Sequence, residues 1–208
     1  MIDTGNIALF LGTSILLAFA PGPDNIFVLT QSILYGKKAG GTITLGLCTG
    51  LLFHTTVVAC GLAAIFQTSA LAFSILKYIG GAYLIWLSFS AFRSSAGEIT
   101  VSGEKKLSSL QLYRRGIIMN VTNPKVSIFF LAFLPQFTQP SKGPVMLQLI
   151  ELGFLFMIVT FFVFGLIAVI SGFAGETIAK TQRWQTILNK TAGAIFAGLA
   201  LKLILMRQ

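Results

Sequence analysis

Charged residues are scarce in this chain. Only 10% of its 208 residues are Asp, Glu, Lys or Arg, while 55% are hydrophobic, whereas about a quarter of the residues in a soluble globular domain are charged. Acidic residues are especially few, with six Asp and Glu against 15 Lys and Arg. The composition excludes an ordinary soluble domain and favours a polytopic membrane protein that contacts the lipid bilayer.

Residues that support metal or covalent chemistry are almost absent. The single histidine, His54, and the two cysteines, Cys48 and Cys60, lie apart in the sequence, so a multi-histidine or soft-metal site is poorly supplied. The chain has no His-Glu-x-x-His, Cys-x-x-Cys, nucleophile elbow or P-loop. These absences argue against the common membrane enzymes and against ATP hydrolysis by this chain, and we expect no metal and no cofactor.

The net charge of +9 does not indicate nucleic-acid binding. The basic residues stand mostly in short connectors between apolar runs and form no patch interleaved with aromatic side chains. The connectors after the first, third and fifth apolar segments hold ten of them, and the connectors on the other side hold four. By the positive-inside rule the first set lies in the cytoplasm, so both termini are predicted to face outward.

Six apolar segments predict six transmembrane helices. A span needs about 20 apolar residues, and the segments cover about 6–35, 40–67, 71–92, 110–137, 145–173 and 187–206. The one long polar stretch divides the chain into a first three-helix repeat (1–93), a cytoplasmic linker (94–109) and a second three-helix repeat (110–208). The predicted fold is an all-α membrane bundle of two inverted three-helix repeats.

Proline interrupts the first segment of each half. The sequences are Ala20-Pro21-Gly22-Pro23-Asp24-Asn25 and Thr122-Asn123-Pro124-Lys125. A broken backbone at membrane depth is tolerated only where protein or a water-filled cavity surrounds it, and corresponding breaks in two halves are typical of inverted-repeat transporters. The breaks therefore indicate a binding feature. The alternative, that the prolines only kink helices around the bundle, stays open.

A second correspondence links the third and sixth segments. Gly81-Ala82 and Leu87 match Gly193-Ala194 and Leu199 at a constant offset of 112 positions. Small residues at such positions let transmembrane helices approach closely. The match supports two related halves, although Gly-Ala pairs are also common in membrane helices, and the glycine-rich faces would permit a homodimer.

Short glycine, proline and aromatic motifs follow one another in order along the chain. They are Ala20-Pro21-Gly22-Pro23, Gly36, Gly40, Gly46, Gly50, Gly81-Ala82-Tyr83-Leu84, Gly116 to Asn120 to Asn123-Pro124-Lys125, Phe129-Phe130 and Leu134-Pro135-Gln136-Phe137. In this order they resemble the lysine exporter and homoserine/threonine resistance (LysE/RhtB) family of amino-acid efflux proteins, over essentially the whole chain.

The resemblance implies a secondary transporter of the bacterial inner membrane with both termini in the periplasm. It would export amino acids or close derivatives, such as homoserine, threonine or lysine, and be driven by protons. The alternatives are an exporter of another small solute or cation and, in a different class, a passive channel or a membrane-embedded enzyme.

The breaks offer complementary groups to both ends of an amino acid. N–H groups that open the second half-helix, from about Asn25 to Phe27, can hold a carboxylate, and carbonyls freed at Leu17 and Phe19 can hold an ammonium. The predicted substrate-binding residues are Pro21, Gly22, Pro23, Asp24, Asn25, Asn123, Pro124 and Lys125.

Asp24 and Lys125 are the ionisable residues nearest the predicted middle of the membrane. A charge there costs at least ~2.5 to 3.5 kcal/mol, so each needs a partner or a function, and inverted repeats would make them partners of each other. Alternatively, Asp24 caps a half-helix, and Lys125 forms a structural ion pair or extends to the membrane interface. Both are candidates for proton coupling, as is His54, whose alternative role is that of a hydrogen-bonded packing residue.

Overall fold

The computed structural model describes residues 3–68, 70–93, 106–174 and 182–205, and within these ranges the chain is helical, with no β-strand. The linker residues 94–105 lie outside them. The α-helices, numbered in chain order, are α1 (Thr4–Phe19), α2 (Pro23–Tyr35), α3 (Lys37–Thr68), α4 (Ala70–Arg93), α5 (Ser109–Thr122), α6 (Pro124–Ile128), α7 (Val145–Ala174) and α8 (Gln182–Leu205).

Both predicted helix breaks are present. α1 and α2 meet at a bend of 60°, and α5 meets the stretch that begins with α6 at a bend of 50°. Pro23 and Pro124 each stand at the start of the helix that follows the bend, where a missing N–H costs no hydrogen bond and the fixed φ suits a helix. The prolines therefore begin new helices and do not lie inside continuous ones.

Two helices are long and apolar enough to cross a membrane by themselves. They are α3 and α7, and the two bent pairs raise the number in the described residues to four when each pair counts as one span. The chain is therefore a membrane protein with several helical spans.

The stretch after α6 leaves the α-helical pattern. Phe129–Phe133 forms a π-helix and Leu134–Phe137 a 3₁₀ helix, and Pro135 stands in the first turn of the latter. Phe129, Phe130 and Phe133 are buried in the core. Phe129 contacts Phe10 and Phe156. Phe130 also contacts Phe156, and Phe133 contacts Phe129. π-Helical turns are rare and often accompany functional sites.

Glycines permit the close helix crossings. A Cβ atom added to Gly46 of α3 would lie 3.1 Å from the Cα atom of Gly116 on α5, so the two backbones are almost in contact. Ser88 on α4 donates a hydrogen bond of 2.7 Å to the Gly193 carbonyl on α8. These contacts confirm the prediction that small residues mediate helix packing.

The buried side chains form two apolar clusters. One gathers around Phe10, Phe129 and Phe133, and the other around Phe27 and Ile43. Both include residues beside the first break, Leu17 in the former and Ala18 in the latter. The breaks therefore lie where the two clusters meet, deep within the bundle.

Candidate functional site

The two breaks are joined by one side chain. The Lys125 ammonium, which belongs to the second break, donates hydrogen bonds to the Ala20 carbonyl oxygen at 2.8 Å and to Asn25 Oδ1 at 3.4 Å in the first. Lys125 is 7% exposed. The structure thus brings together two stretches of chain that are about a hundred residues apart in sequence.

Asn25 organises the first break. Its Nδ2 donates a hydrogen bond of 2.7 Å to the Ala18 carbonyl oxygen, seven residues earlier, so its Oδ1 is fixed toward Lys125. The carbonyls that accept from side chains are thus those of Ala18 and Ala20. The carbonyl of Leu17, which the sequence nominated for an ammonium, accepts from the Ala20 N–H at 3.2 Å.

The donors that open α2 are fewer than predicted. The Ile26 N–H donates to the Gly22 carbonyl at 3.0 Å, so it belongs to the helix. No side chain caps α2 at Gly22. The N–H groups of Asp24 and Asn25 are those that a helix start leaves without an intrahelical partner, and they are the ones left for a carboxylate.

In the second break, a neighbouring side chain caps the helix that follows. Asn123 Oδ1 accepts a hydrogen bond of 3.0 Å from the Lys125 backbone N–H and so caps α6. The other side-chain atom of Asn123, Nδ2, is buried and has no hydrogen-bond partner within the part of the chain that the structure describes. The two breaks therefore differ, because one is capped by a side chain and the other holds an ammonium.

Asp24 is buried with unsatisfied hydrogen-bonding capacity. Its side chain is 2% exposed, faces the side chains of Asn120 and Asn123, and lies within electrostatic range of Lys125 and His54. Among the described residues its Oδ1 accepts no hydrogen bond, and no direct ion pair joins it to Lys125. The predicted partners thus interact as charges, while the hydrogen bonds of the Lys125 ammonium go to the first break.

His54 lies next to this group on α3. Its Nε2 is 3.1 Å from the Asn120 carbonyl oxygen, and its ring centroid is 5.5 Å from that of Phe130. This environment is the one expected of a hydrogen-bonded packing histidine. Proton coupling through His54 stays a prediction.

A small cavity opens at the breaks. Its volume is ≈ 20 Å³, which is room for about one water molecule and too little for an amino acid. Asp24 and Lys125 are the members of the predicted site that line it, together with Leu17, Ala18, Leu47, Asn120, Val126, Phe156, Thr160 and Phe164.

Asn120 and Thr160 are site residues that sequence reasoning did not nominate. Asn120 Oδ1 and Thr160 Oγ1 are buried without hydrogen-bond partners in the described residues. Gly50 makes room for the amide, because a Cβ atom there would lie 2.7 Å from Asn120 Oδ1. In the sequence, each residue stands as a single polar residue within an apolar segment. For Thr160 this pattern is only weak evidence of a site.

The prolines and the glycine of the predicted site are less buried than its charged and amide residues. Pro23 and Pro124 are exposed, and Pro21 and Gly22 are half-buried. The described residues contain no group of three or more His, Cys, Asp or Glu side chains that could hold a metal ion. The site consists of one carboxylate, one ammonium, side-chain amides, a hydroxyl and backbone carbonyls.

Apolar spans and two broken helices that meet at a buried charged site define a helical membrane transporter. The family described as LysE type translocator matches residues 15–207, and the chain belongs to this family. It is an efflux transporter of the membrane, not an enzyme.

Relatives of this chain include two proteins named for efflux and one named as a membrane protein. The chain is 38% identical over 193 residues to the homoserine/homoserine lactone efflux protein of Salmonella typhi, covering 90% of each chain. It is 37% identical, with the same coverage, to the protein of that name in Salmonella typhimurium. A Vibrio cholerae membrane protein is 30% identical over 189 residues, with 91% of each chain covered. No solved structure matches the chain.

Proposed function

We propose that this chain exports homoserine or a similar small amino acid across the bacterial inner membrane, as a secondary transporter driven by protons. The observation that carries the proposal is the contact between the two breaks, in which Lys125 binds Ala20 and Asn25 beside the buried carboxylate of Asp24. The site thus offers a positive and a negative charge, together with hydrogen-bond donors and acceptors. An amino acid carries an ammonium and a carboxylate that complement these groups.

The names of the Salmonella relatives narrow the chemistry. Homoserine and its lactone share a primary ammonium, whereas only homoserine has a free carboxylate. A site that accepts both must therefore recognise the ammonium, and the acceptors for it here are Asp24 and the carbonyls of the first break. Lys125 and the free N–H groups of α2 are the donors for a carboxylate when one is present.

Alternating access accounts for the closed cavity. A cavity of ≈ 20 Å³ cannot hold the solute, so the two halves must move relative to each other around the breaks. In the proposed architecture α4 and α8, with 24 residues each, complete six spans, since about 36 Å of helix exceeds the ~30 Å hydrocarbon core.

Reciprocal contacts between α4 and α8 support two inverted repeats. A Cβ atom at Gly81 would lie 2.9 Å from Ile204, and one at Gly193 would lie 2.9 Å from the Phe92 ring. The glycines are 112 positions apart, and so are the side chains that cover them. A pseudo-two-fold axis relates such a pair of contacts to each other. In this topology both termini are periplasmic and residues 94–109 are cytoplasmic.

The proposal is tested by export from cells. Cells that overproduce the protein are loaded with isotope-labelled homoserine, threonine or lysine, and release is compared with that from cells carrying an empty vector. We expect faster release of homoserine. Equal release of all three amino acids from both kinds of cell would contradict the proposal.

A further inference from the structure

The first break contains a binding site for a primary ammonium group. Two oxygen acceptors converge there, the Ala20 carbonyl at 2.8 Å and Asn25 Oδ1 at 3.4 Å from Lys125 Nζ. An ammonium has three N–H donors and no acceptor, so this arrangement suits it. Asn25 Oδ1 is held in this position, because Asn25 Nδ2 donates a hydrogen bond to the Ala18 carbonyl.

The electrostatics of this position favour a cation. Ala20 is the C-terminal cap of α1, and the C-terminus of a helix carries a partial negative charge. The Lys125 side chain thus places its ammonium at the C-terminal end of α1.

Gly22 provides the space. A Cβ atom added to this residue would lie 3.1 Å from Lys125 Nζ and 3.7 Å from Asn25 Oδ1. Its φ of −171° is extended backbone, which any residue can adopt. Glycine here is therefore explained by the room that the ammonium needs, and not by backbone conformation.

We propose that the Ala20 carbonyl and Asn25 Oδ1 form the subsite for the ammonium of the exported solute, and that Lys125 is a tethered occupant which the solute displaces. The inference rests on the proposed function, since it assigns one end of that solute. The ammonium of an amino acid and that of lysine are the same chemical group and compete for the same two acceptors. The displaced Lys125 turns to Asp24, whose buried Oδ1 has no hydrogen-bond partner among the described residues.

In the transporter without solute, Lys125 itself occupies the ammonium subsite. With Lys125 in the subsite, the charge of the second break is compensated and the cavity stays at the size of a water molecule. The apparent affinity for the solute is then reduced by the fraction of time for which Lys125 fills the subsite. Removing the tethered ammonium must therefore strengthen binding of a solute that has an ammonium and no carboxylate.

The first experiment tests the subsite without any amino acid. Purified Lys125→Ala is expected to melt at a lower temperature than the wild type, and n-propylammonium, which replaces the lost part of the side chain, is expected to restore the melting temperature. Propyltrimethylammonium has the same charge but no N–H to donate, so it should not. Equal effects of the two cations, or no effect of either, would overturn the subsite.

The second experiment tests competition. Binding of labelled homoserine lactone is measured on purified wild type, Lys125→Met, Gly22→Ala and the surface control Lys38→Met. Lys125→Met removes the tethered ammonium and is expected to lower the Kd by about tenfold. Gly22→Ala adds a methyl group beside the subsite, which crowds the ammonium of the lactone as well as that of Lys125, so it is expected to raise the Kd, while Lys38→Met leaves it unchanged. An unchanged or raised Kd in Lys125→Met would refute the tethered occupant.

The two experiments also separate this inference from the proposed function. If propylammonium restores Lys125→Ala but the wild type and all variants bind no lactone, the ammonium site stands and its assignment to the solute is wrong. If Lys125→Ala does not fold, the binding measurement on Lys125→Met decides, because methionine keeps an unbranched apolar side chain of similar length at this position.

Discussion

At the scale of single residues, the site is built from two opposite charges at corresponding positions. Asp24 and Lys125 each follow an exposed proline and are themselves buried. The sequence predicts both as candidates, because an ionisable residue beside a break at membrane depth needs a partner or a function. It did not identify the hydrogen-bond partners of Lys125, since Ala20 contributes only its backbone carbonyl and the contact depends on how two distant stretches pack.

Neutralising either charge is expected to abolish export. Asp24→Asn and Lys125→Gln each leave the other charge less compensated in a site with little water, which destabilises by about 1–3 kcal/mol. The double variant should recover melting temperature relative to the less stable single variant, without recovering export. Export and melting temperature are measured on the same membranes. Normal export by both single variants would remove Asp24 and Lys125 from the site.

Thr160 is expected to recognise the side chain of the solute. Its buried Oγ1 has no hydrogen-bond partner within the described residues, so a hydroxyl of homoserine can bind there when the cavity opens. Thr160→Val keeps the shape and removes that group, and it should weaken homoserine binding by about tenfold. Competition by 2-aminobutyrate, which lacks the hydroxyl, is the control. Equal weakening for both solutes would make Thr160 a packing residue.

At the scale of helices, the sequence predicted the order of the elements and both breaks correctly. Proline and glycine interrupt hydrogen-bonded helix through local chemistry, so α1–α2 and α5–α6 were foreseeable. The π-helix at Phe129–Phe133 was not, because its register is set by the packing of phenylalanine rings against α1 and α7. The size of the cavity could not be predicted either, since its lining residues come from six helices.

The breaks are expected to act as a clamp for the solute and not only as kinks. Because Pro23 starts a helix, Pro21→Ala combined with Pro23→Ala should change stability by less than about 1 kcal/mol. It would let the helix continue through residues that now expose the Ala18 and Ala20 carbonyls, and export per folded molecule should fall. The surface variant Pro140→Ala is the control. Unchanged export per folded molecule in the double variant would support the kink.

At the scale of the whole molecule, the predicted orientation rests on charge and not on packing. The sequence predicts six spans in two inverted repeats. In the described residues, length and composition identify two spanning helices, or four spans if each bent pair is one. Hydropathy and basic residues predict which side each connector faces, a property that helix contacts alone do not report.

The topology is testable with tags. A tag at either terminus should be accessible to a membrane-impermeant reagent from the periplasmic side, and one inserted between Ser94 and Ser109 should be protected until the inner membrane is opened. The reason is the excess of basic residues in the odd-numbered connectors. Termini and linker on the same side would be incompatible with an odd number of spans in each half.

Transport by the purified protein tests the central claim most directly, namely that the solute is held through its ammonium at the joined breaks. Vesicles containing the protein are given a proton gradient, and entry of labelled homoserine is measured in the presence of unlabelled competitors. The account predicts gradient-dependent transport that homoserine lactone inhibits and 4-hydroxybutyrate, which has no ammonium, does not. Transport no faster than in protein-free vesicles, or equal inhibition by the two competitors, would contradict it.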